Sequence, residues 1–415
     1  MTLDMTLEEI FESTRHPKHK RVGCRLIFDP RSESEFEVVT HLEHFPQGNK
    51  DQNGITWVVQ NTGEYISSLL DGLRGRLSDL SQEFNNKRPV HLYLTKNPEF
   101  DAFSFKKDNH EFIGISYGAI HLLKLVFNRI MSDRNLMKHV GNINLEEEKS
   151  NIWPDYRFIV RDNLWEAVAF PNDFTRGLYA QALTKIAIDF LVMHEFSHIC
   201  NGHISWKHGK WGEEKAHMND GIIEHKKTAF NKFSQAMEVD ADSTAFIIGA
   251  VFKLMGRENI LQSALQADIF KNQHDFLMAL YGSDYNFLRS FFYAMNVLFR
   301  LQDFDSQKML EKEKNIFDST HPPFGLRAMS LVRFIDFYSG IGILKNIDRE
   351  LLGQTLASSL SDAFESVSSI TTTPKNWGTK FWGDKGEESL DNYAKLIAKA
   401  WGDMKPEILQ LRRWG

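Results

Sequence analysis

The stretch from His194 to His203 contains the arrangement His-Glu-x-x-His. It follows an apolar run at residues 186–192, which predicts that both lie on one helix. Residues four apart share a helix face, so His194 and His198 point the same way and can bind a single ion. Glu195 lies beside that face, where its carboxylate can act as a general base toward water. The pattern predicts a Zn²⁺ site that hydrolyses peptide bonds.

A catalytic zinc site needs a third protein ligand and one open position. His203 follows His198 by five residues, whereas the metzincin pattern His-Glu-x-x-His-x-x-Gly-x-x-His needs six, so its spacing excludes it. The alternative lies at residues 235–245, where Glu238 and Asp242 are four apart and share a helix face. We expect Glu238 to bind the metal and Asp242 to orient a ligating histidine through a hydrogen bond.

The remaining polar residues near these motifs have simpler interpretations. Asp240 faces away from Glu238 and Asp242, and we expect it to be solvated or to cap a local interaction. Cys200 is offset from the ligand face by about 200° on a helix, which predicts a buried filler rather than a ligand. Residues 204–222 lack periodicity and predict a mobile loop that can close over the metal. The histidines in and after this loop are expected to be surface residues: His208, His217 and His225.

The composition is that of a globular protein rather than a nucleic-acid-binding one. The 415 residues are 42% hydrophobic and 25% charged, with a net charge of −6 and no long basic run. Two cysteines suit a reducing compartment. The first residues are acidic where a signal peptide is basic, and no apolar stretch reaches the twenty or so residues of a membrane span. We therefore expect a cytoplasmic protein with no nucleic-acid partner.

Hydrophobic periodicity predicts an α+β fold that is mainly α-helical, with a small β-sheet. The predicted strands are 22–28, 36–42, 55–59, 91–94 and 112–116. The predicted helices are 65–84, 117–131, 175–202, 229–254, 258–271, 285–302, 322–338, 347–367 and 388–411. The predicted domains are an N-terminal α/β extension at 1–90, a metallopeptidase domain at 91–340 and a C-terminal helical segment at 341–415.

Taken together, the motifs resemble the M48 family of gluzincin peptidases. His194-Glu195-x-x-His198 followed by Glu238-x-x-x-Asp242 resembles the family's metal-binding pattern. Residues 319–327 resemble its Thr-His-Pro-Pro…Arg segment, and Asp101-Ala102-Phe103 with residues 113–118 resembles a strand-to-helix segment ahead of the zinc helix. The resemblance covers about residues 90–340. It implies a zincin-like core.

The resemblance also implies supporting roles for His321 and Arg327, either of which can approach the active site and stabilise an oxyanion. Local chemistry alone gives another interpretation, because Thr320 can cap a helix and Pro322 suits its first turn. The chain departs from the family in three respects. Asp101 replaces the usual Asn, the loop before Glu238 is long, and neither a span nor a signal is found.

The sequence thus predicts a zinc-dependent endopeptidase, with Glu195 as general base and later proton donor. Its protein or peptide substrate is expected to lie extended along an edge strand within residues 103–116, specifically 112–116. Two alternatives remain open. The same chemistry can serve a toxin or phage-defence protease that cuts one host protein. A catalytically silent binding or regulatory module can use the metal only for stability.

Overall fold

The computed structural model describes most of the chain from residue 62 onward, together with two earlier residues. The described residues are 26–27, 62–84, 88–95, 100–107, 110–149, 153, 169–215, 224–266, 271–302, 321–322, 326–328, 330–332, 334, 347–371 and 384–413. Within them the protein is mostly helical with one small sheet, which confirms the predicted mainly helical α+β class. The predicted strands 36–42 and 55–59 lie outside the described residues.

The elements agree with most of the predicted ones. The strands are β1 (Leu26–Ile27), β2 (Val90–Thr95), β3 (Ala102–Lys107) and β4 (His110–Ser116). The first helices are α1 (Thr62–Glu83), α2 (Tyr117–Met131), α3 (Phe174–Cys200), α4 (His203–Lys215) and α5 (Glu224–Phe246). A π-helical turn (Ile247–Val251) then leads into α6 (Phe252–Gln266), α7 (Lys271–Tyr281), α8 (Asp284–Gln302), α9 (Arg349–Ile370) and α10 (Asp384–Leu409).

The described sheet has the strand order β1-β2-β4-β3. β2 and β4 are parallel, while β3 is antiparallel to β4. The prediction of 112–116 as the edge strand is therefore wrong, because β4 has a hydrogen-bonded neighbour on each side. Sequence analysis missed β3, although Phe103 and Phe105 alternate with polar residues there as a strand requires. The edge of the described sheet on this side is β3.

Helix α3 runs through the centre of the fold. It packs against α2, α5 and α8, and it also contacts the sheet. Its residues are buried almost without interruption from Leu183 to Cys200. A helix covered on all sides has no polar face, so amphipathicity carries little information about it, and the apolar run with the His-Glu-x-x-His motif identified it instead.

Residues 204–222 do not form the predicted mobile loop over their described part, 204–215. Helix α4 extends from His203 to Lys215, and residues 216–223 lie outside the described residues. Two glycines, Gly209 and Gly212, interrupt the hydrophobic pattern, and for this reason the helix was not predicted. Trp206 anchors it, because its ring packs 5.7 Å from that of Phe233 on α5.

One hydrophobic cluster extends over the described chain, from Ile66 on α1 through α3 to Ile408 on α10. It includes residues of all three predicted domains, whose boundaries at 90 and 340 stay a prediction. No helix among the described residues is long and apolar enough to cross a membrane.

Arg176 joins the first turn of α3 to the turn that follows α2. Its side chain is completely buried, and its guanidinium lies 3.8 Å from the carboxylate of Glu146. The guanidinium donates hydrogen bonds of 2.6–3.0 Å to the carbonyl oxygens of Met131, Asp133, Leu136, Met137 and Val140. The carbonyls of Asp133 and Met137 also accept from backbone amides in turns of this segment, and Arg176 adds a charged donor to all five.

Replacing Arg176 by Met should lower the free energy of unfolding by about 3 kcal/mol or more, because buried carbonyls and Glu146 lose their partner. Chemical denaturation followed by circular dichroism measures this change. Lys149→Met is the matched control. Its side chain is paired with exposed Glu147, so its loss should leave the midpoint unchanged. Equal midpoints for the two variants would contradict the assigned role of Arg176.

Candidate metal centre

The two histidines of the motif meet on one face of α3. The helix starts at the N-cap Asp173, whose side chain accepts a hydrogen bond from the amide of Arg176, and it continues to Cys200. The rings of His194 and His198 lie 4.8 Å apart between centroids and are nearly perpendicular. Their Nε2 atoms are separated by 3.2 Å. One turn of helix therefore directs both nitrogens at a common point, as the spacing predicts.

Helix α5 brings the Glu238 carboxylate to the same point. Its Oε2 lies 3.1 Å from Nε2 of His194, and its Oε1 lies 3.4 Å from Nε2 of His198. Ligands about 2.0–2.1 Å from a tetrahedral ion lie about 3.3 Å from one another. The three residues are buried and have the spacing of a metal site, so they could hold a metal ion.

The second nitrogen of each histidine is directed at a different partner. Nδ1 of His194 lies 2.8 Å from Oδ1 of Asp242. Nδ1 of His198 lies 2.9 Å from Nδ1 of His203. When both Nδ1 atoms carry the proton, both Nε2 lone pairs point at the shared site. This tautomer pattern is the one that a bound cation requires.

The charges around the site are balanced by a proton when no cation is bound. Burial opposes the charged form of His194, but Asp242 and Glu238 outweigh it and raise the pKa to about 10. Burial also opposes the charged form of Glu238, yet the histidines around it hold its pKa well below the usual value. A carboxylate in contact with an imidazolium is thus ready to exchange the proton for a metal cation.

Arg327 contacts Asp242 rather than the metal-facing side of the site. Its Nε and Nη2 donate to the two carboxylate oxygens at 2.7 and 2.6 Å, and Nη1 donates to Gln302 at 3.1 Å. The guanidinium also stacks 4.2 Å from the ring centroid of Phe299. Asp242 therefore has the orienting position predicted for it. The predicted oxyanion-stabilising role of Arg327 gains no support from this geometry.

His321 lies close to the cluster. Its Nε2 is 3.9 Å from Oε2 of Glu238, and its side chain is 64% exposed. Solvent can therefore reach this histidine beside Glu238. Its catalytic role stays a prediction.

The general-base candidate contacts the edge strand. Oγ of Ser104 on β3 donates a hydrogen bond of 2.7 Å to Oε2 of Glu195. Sequence analysis did not select Ser104, because nothing in the sequence relates a strand residue to a helix residue 91 positions later. The contact orients the Glu195 carboxylate and joins the base to the sheet.

Of the two roles predicted for Asp240, solvation is wrong, because its carboxylate contacts other residues of the protein. Its side chain is 18% exposed and accepts hydrogen bonds from Asn201, His203 and Arg412. Burial lowers the pKa of His203 to about 4, against the influence of Asp240, so this ring is neutral. The sequence did contain a signal for the position of His203. Asn201-Gly202 is a pair that ends helices, and the change of chain direction there places His203 beside His198. Two smaller predictions are confirmed, since Cys200 is buried and His208 is exposed.

Comparison of the chain with protein-family models, with curated proteins and with solved structures found no match. The site is therefore interpreted from its own geometry.

Metal binding should stabilise the folded protein. Because the three ligands are assembled only in the folded state, Zn²⁺ at about 100 times its dissociation constant should add about 2.7 kcal/mol to the free energy of unfolding. Denaturation with Zn²⁺ and with a chelator measures this difference, and Glu238→Gln should abolish most of it. If Zn²⁺ raised the free energy of unfolding equally in wild type and Glu238→Gln, the assignment of Glu238 as a ligand would be contradicted.

Replacing Asp242 by Asn should weaken metal binding about 10–100-fold, because the amide no longer holds the proton on Nδ1 of His194. Chelator competition gives the dissociation constants. The matched control is Asp362→Asn, since Asp362 also pairs with an arginine, Arg289, at 2.7 Å, but contacts no ligand. Metal affinity should be unchanged in the control. Equal affinities in the two variants would contradict the orienting role of Asp242.

Proposed function

We propose that this protein is a zinc-dependent endopeptidase. The proposal depends on one observation, the convergence of His194, His198 and Glu238 directly beside Glu195. Two imidazoles and one carboxylate are the donor set of catalytic zinc sites, which leave a fourth position open. A zinc ion held there would polarise a carbonyl group and make water more acidic.

The reaction steps are assigned to side chains of this chain. Glu195 takes a proton from the attacking water as the water oxygen bonds to the peptide carbonyl carbon. It then gives that proton to the leaving nitrogen as the C–N bond breaks. Ser104 holds the Glu195 carboxylate in one orientation during both transfers, since its hydroxyl donates to Oε2. His321, close to Glu238 and accessible, is the group best placed to contact the substrate.

The extended substrate is proposed to pair with β3. Among the described strands, β3 has one neighbour, β4, so its other edge has backbone groups that can bind a peptide strand. Ser104 lies in the middle of β3 and contacts Glu195, so a peptide paired along β3 passes the general base. Binding along a strand edge does not require a free terminus, which favours cleavage within chains.

Glu195→Gln should retain stoichiometric zinc and lose at least about 100-fold in proteolytic rate, because the amide cannot accept the proton from water. Metal analysis and cleavage of an unfolded protein substrate measure the two effects. Glu258→Gln is the control, since its side chain is 85% exposed and lies on α6.

Mapping of new protein termini in cells that express wild type or Glu195→Gln identifies the substrates. A single terminus that depends on Glu195 would favour a dedicated toxin or defence protease, and many would favour a general endopeptidase. Unchanged termini and unchanged cleavage in Glu195→Gln would overturn the mechanism and leave the silent metal-stabilised module.

A further inference from the structure

The segment after α10 packs against the end of the metal-binding helix. The amide of Arg413 donates to the carbonyl oxygen of Cys200 at 3.1 Å. Gly202 has a φ of +80°, and a Cβ atom there would lie 2.8 Å from Cβ of Leu411. Glycine is thus required both by the backbone conformation and by the close approach of this segment. The Arg413 side chain pairs with buried Glu111 on β4.

From this segment, hydrogen bonds lead step by step to a metal ligand. Nη2 of Arg412 donates to Oδ1 and Oδ2 of Asp240 at 2.8 and 3.0 Å. Oδ2 of Asp240 lies 3.1 Å from Nε2 of His203. Nδ1 of His203 lies 2.9 Å from Nδ1 of His198. The guanidinium of Arg412 also lies 5.5 Å from the ring of Trp401, whose edge contacts His203.

The ion pair between Arg412 and Asp240 determines which atoms donate and which accept in the contacts that follow it. Asp240 only accepts, so Nε2 of His203 must donate to it. The Nδ1 atoms of His198 and His203 are 2.9 Å apart, so one donates and the other accepts, and metal binding through Nε2 of His198 leaves Nδ1 of His203 as the acceptor. That nitrogen then accepts the proton of Nδ1 in His198, and the lone pair of Nε2 in His198 points toward Glu238. His203 is fully buried, so water does not substitute for its hydrogen bonds.

We propose that Arg412 is a positioning residue for the metal ligand His198, acting through Asp240 and His203. The inference rests on the proposed metal site and adds that the segment after α10 sets its affinity. Without Arg412, the Asp240 carboxylate keeps the hydrogen bond from Asn201 to Oδ2, but Oδ1 loses the donor that Arg412 provides. The carboxylate can then pivot about the Asn201 contact and away from His203, which weakens the control of the His198 tautomer.

Arg412→Gln should bind Co²⁺ and Zn²⁺ about tenfold more weakly than wild type, and should shift the visible absorption of the Co²⁺ protein. Chelator competition and absorption spectra measure these effects on protein shown to be folded by circular dichroism. Arg412→Lys, which retains the charge and one donor, should restore most of the affinity. Arg413→Gln is the matched control, because it loosens the same segment through Glu111 without touching Asp240, and should leave affinity and spectrum unchanged.

A double-mutant cycle distinguishes an effect of Arg412 that passes through His203 from a general destabilisation of the segment after α10. In a His203→Phe background, which keeps the ring but removes both nitrogens, Arg412→Gln should have no further effect on metal affinity. Equal losses in Arg412→Gln and Arg413→Gln, or an additive loss in the cycle, would overturn the inference. Wild type that binds neither ion would instead overturn the metal centre. Metal binding that persists while Glu195→Gln retains proteolysis would overturn only the proposed function.

Discussion

A buried helix cannot carry charged side chains without partners, and this constraint determines how the rest of the protein is arranged around α3. Arg176 is surrounded by backbone carbonyls, and Asp189 is paired with Arg76 and Lys253. Removing one partner of a buried pair costs about 3–5 kcal/mol. The elements that provide these partners are therefore held in place against α3. This fixes the surroundings of His194 and His198 on the same helix.

The candidate metal centre also contains buried charged groups that need partners, and there a proton provides part of the balance. Asp242 and Glu238 surround His194, and Arg327 neutralises only part of their charge. Without a cation, a proton on His194 completes the balance, as its raised pKa indicates. The three candidate ligand side chains already lie close enough together for a divalent cation to take the place of that proton. Rigid orientation of ligands by buried partners is what the metal chemistry needs.

Local periodicity accounts for the parts of the site that were predicted. The relation between His194 and His198 depends only on helical geometry, and so does the relation between Glu238 and Asp242. The need for a third ligand also predicted that Glu238 and Asp242 approach the two histidines, but other contacts between distant segments were missed. Ser104 on β3 is one example, and Asp240 is another, because a spacing of two residues says only that it faces away from Glu238 and not what it meets there.

The sequence by itself determined that His194 pairs with His198 and Glu238 with Asp242 on shared helix faces, and it determined the helical class and most helix positions, because each follows from spacing within one element. Only the tertiary structure decided that β3 is the edge strand, that α4 replaces a loop, and that Arg412 approaches the His198 side of the site. Those features depend on which segments pack together, and packing reflects the burial of surface contributed by the whole chain. A spacing pattern contains no information about a partner 172 residues away.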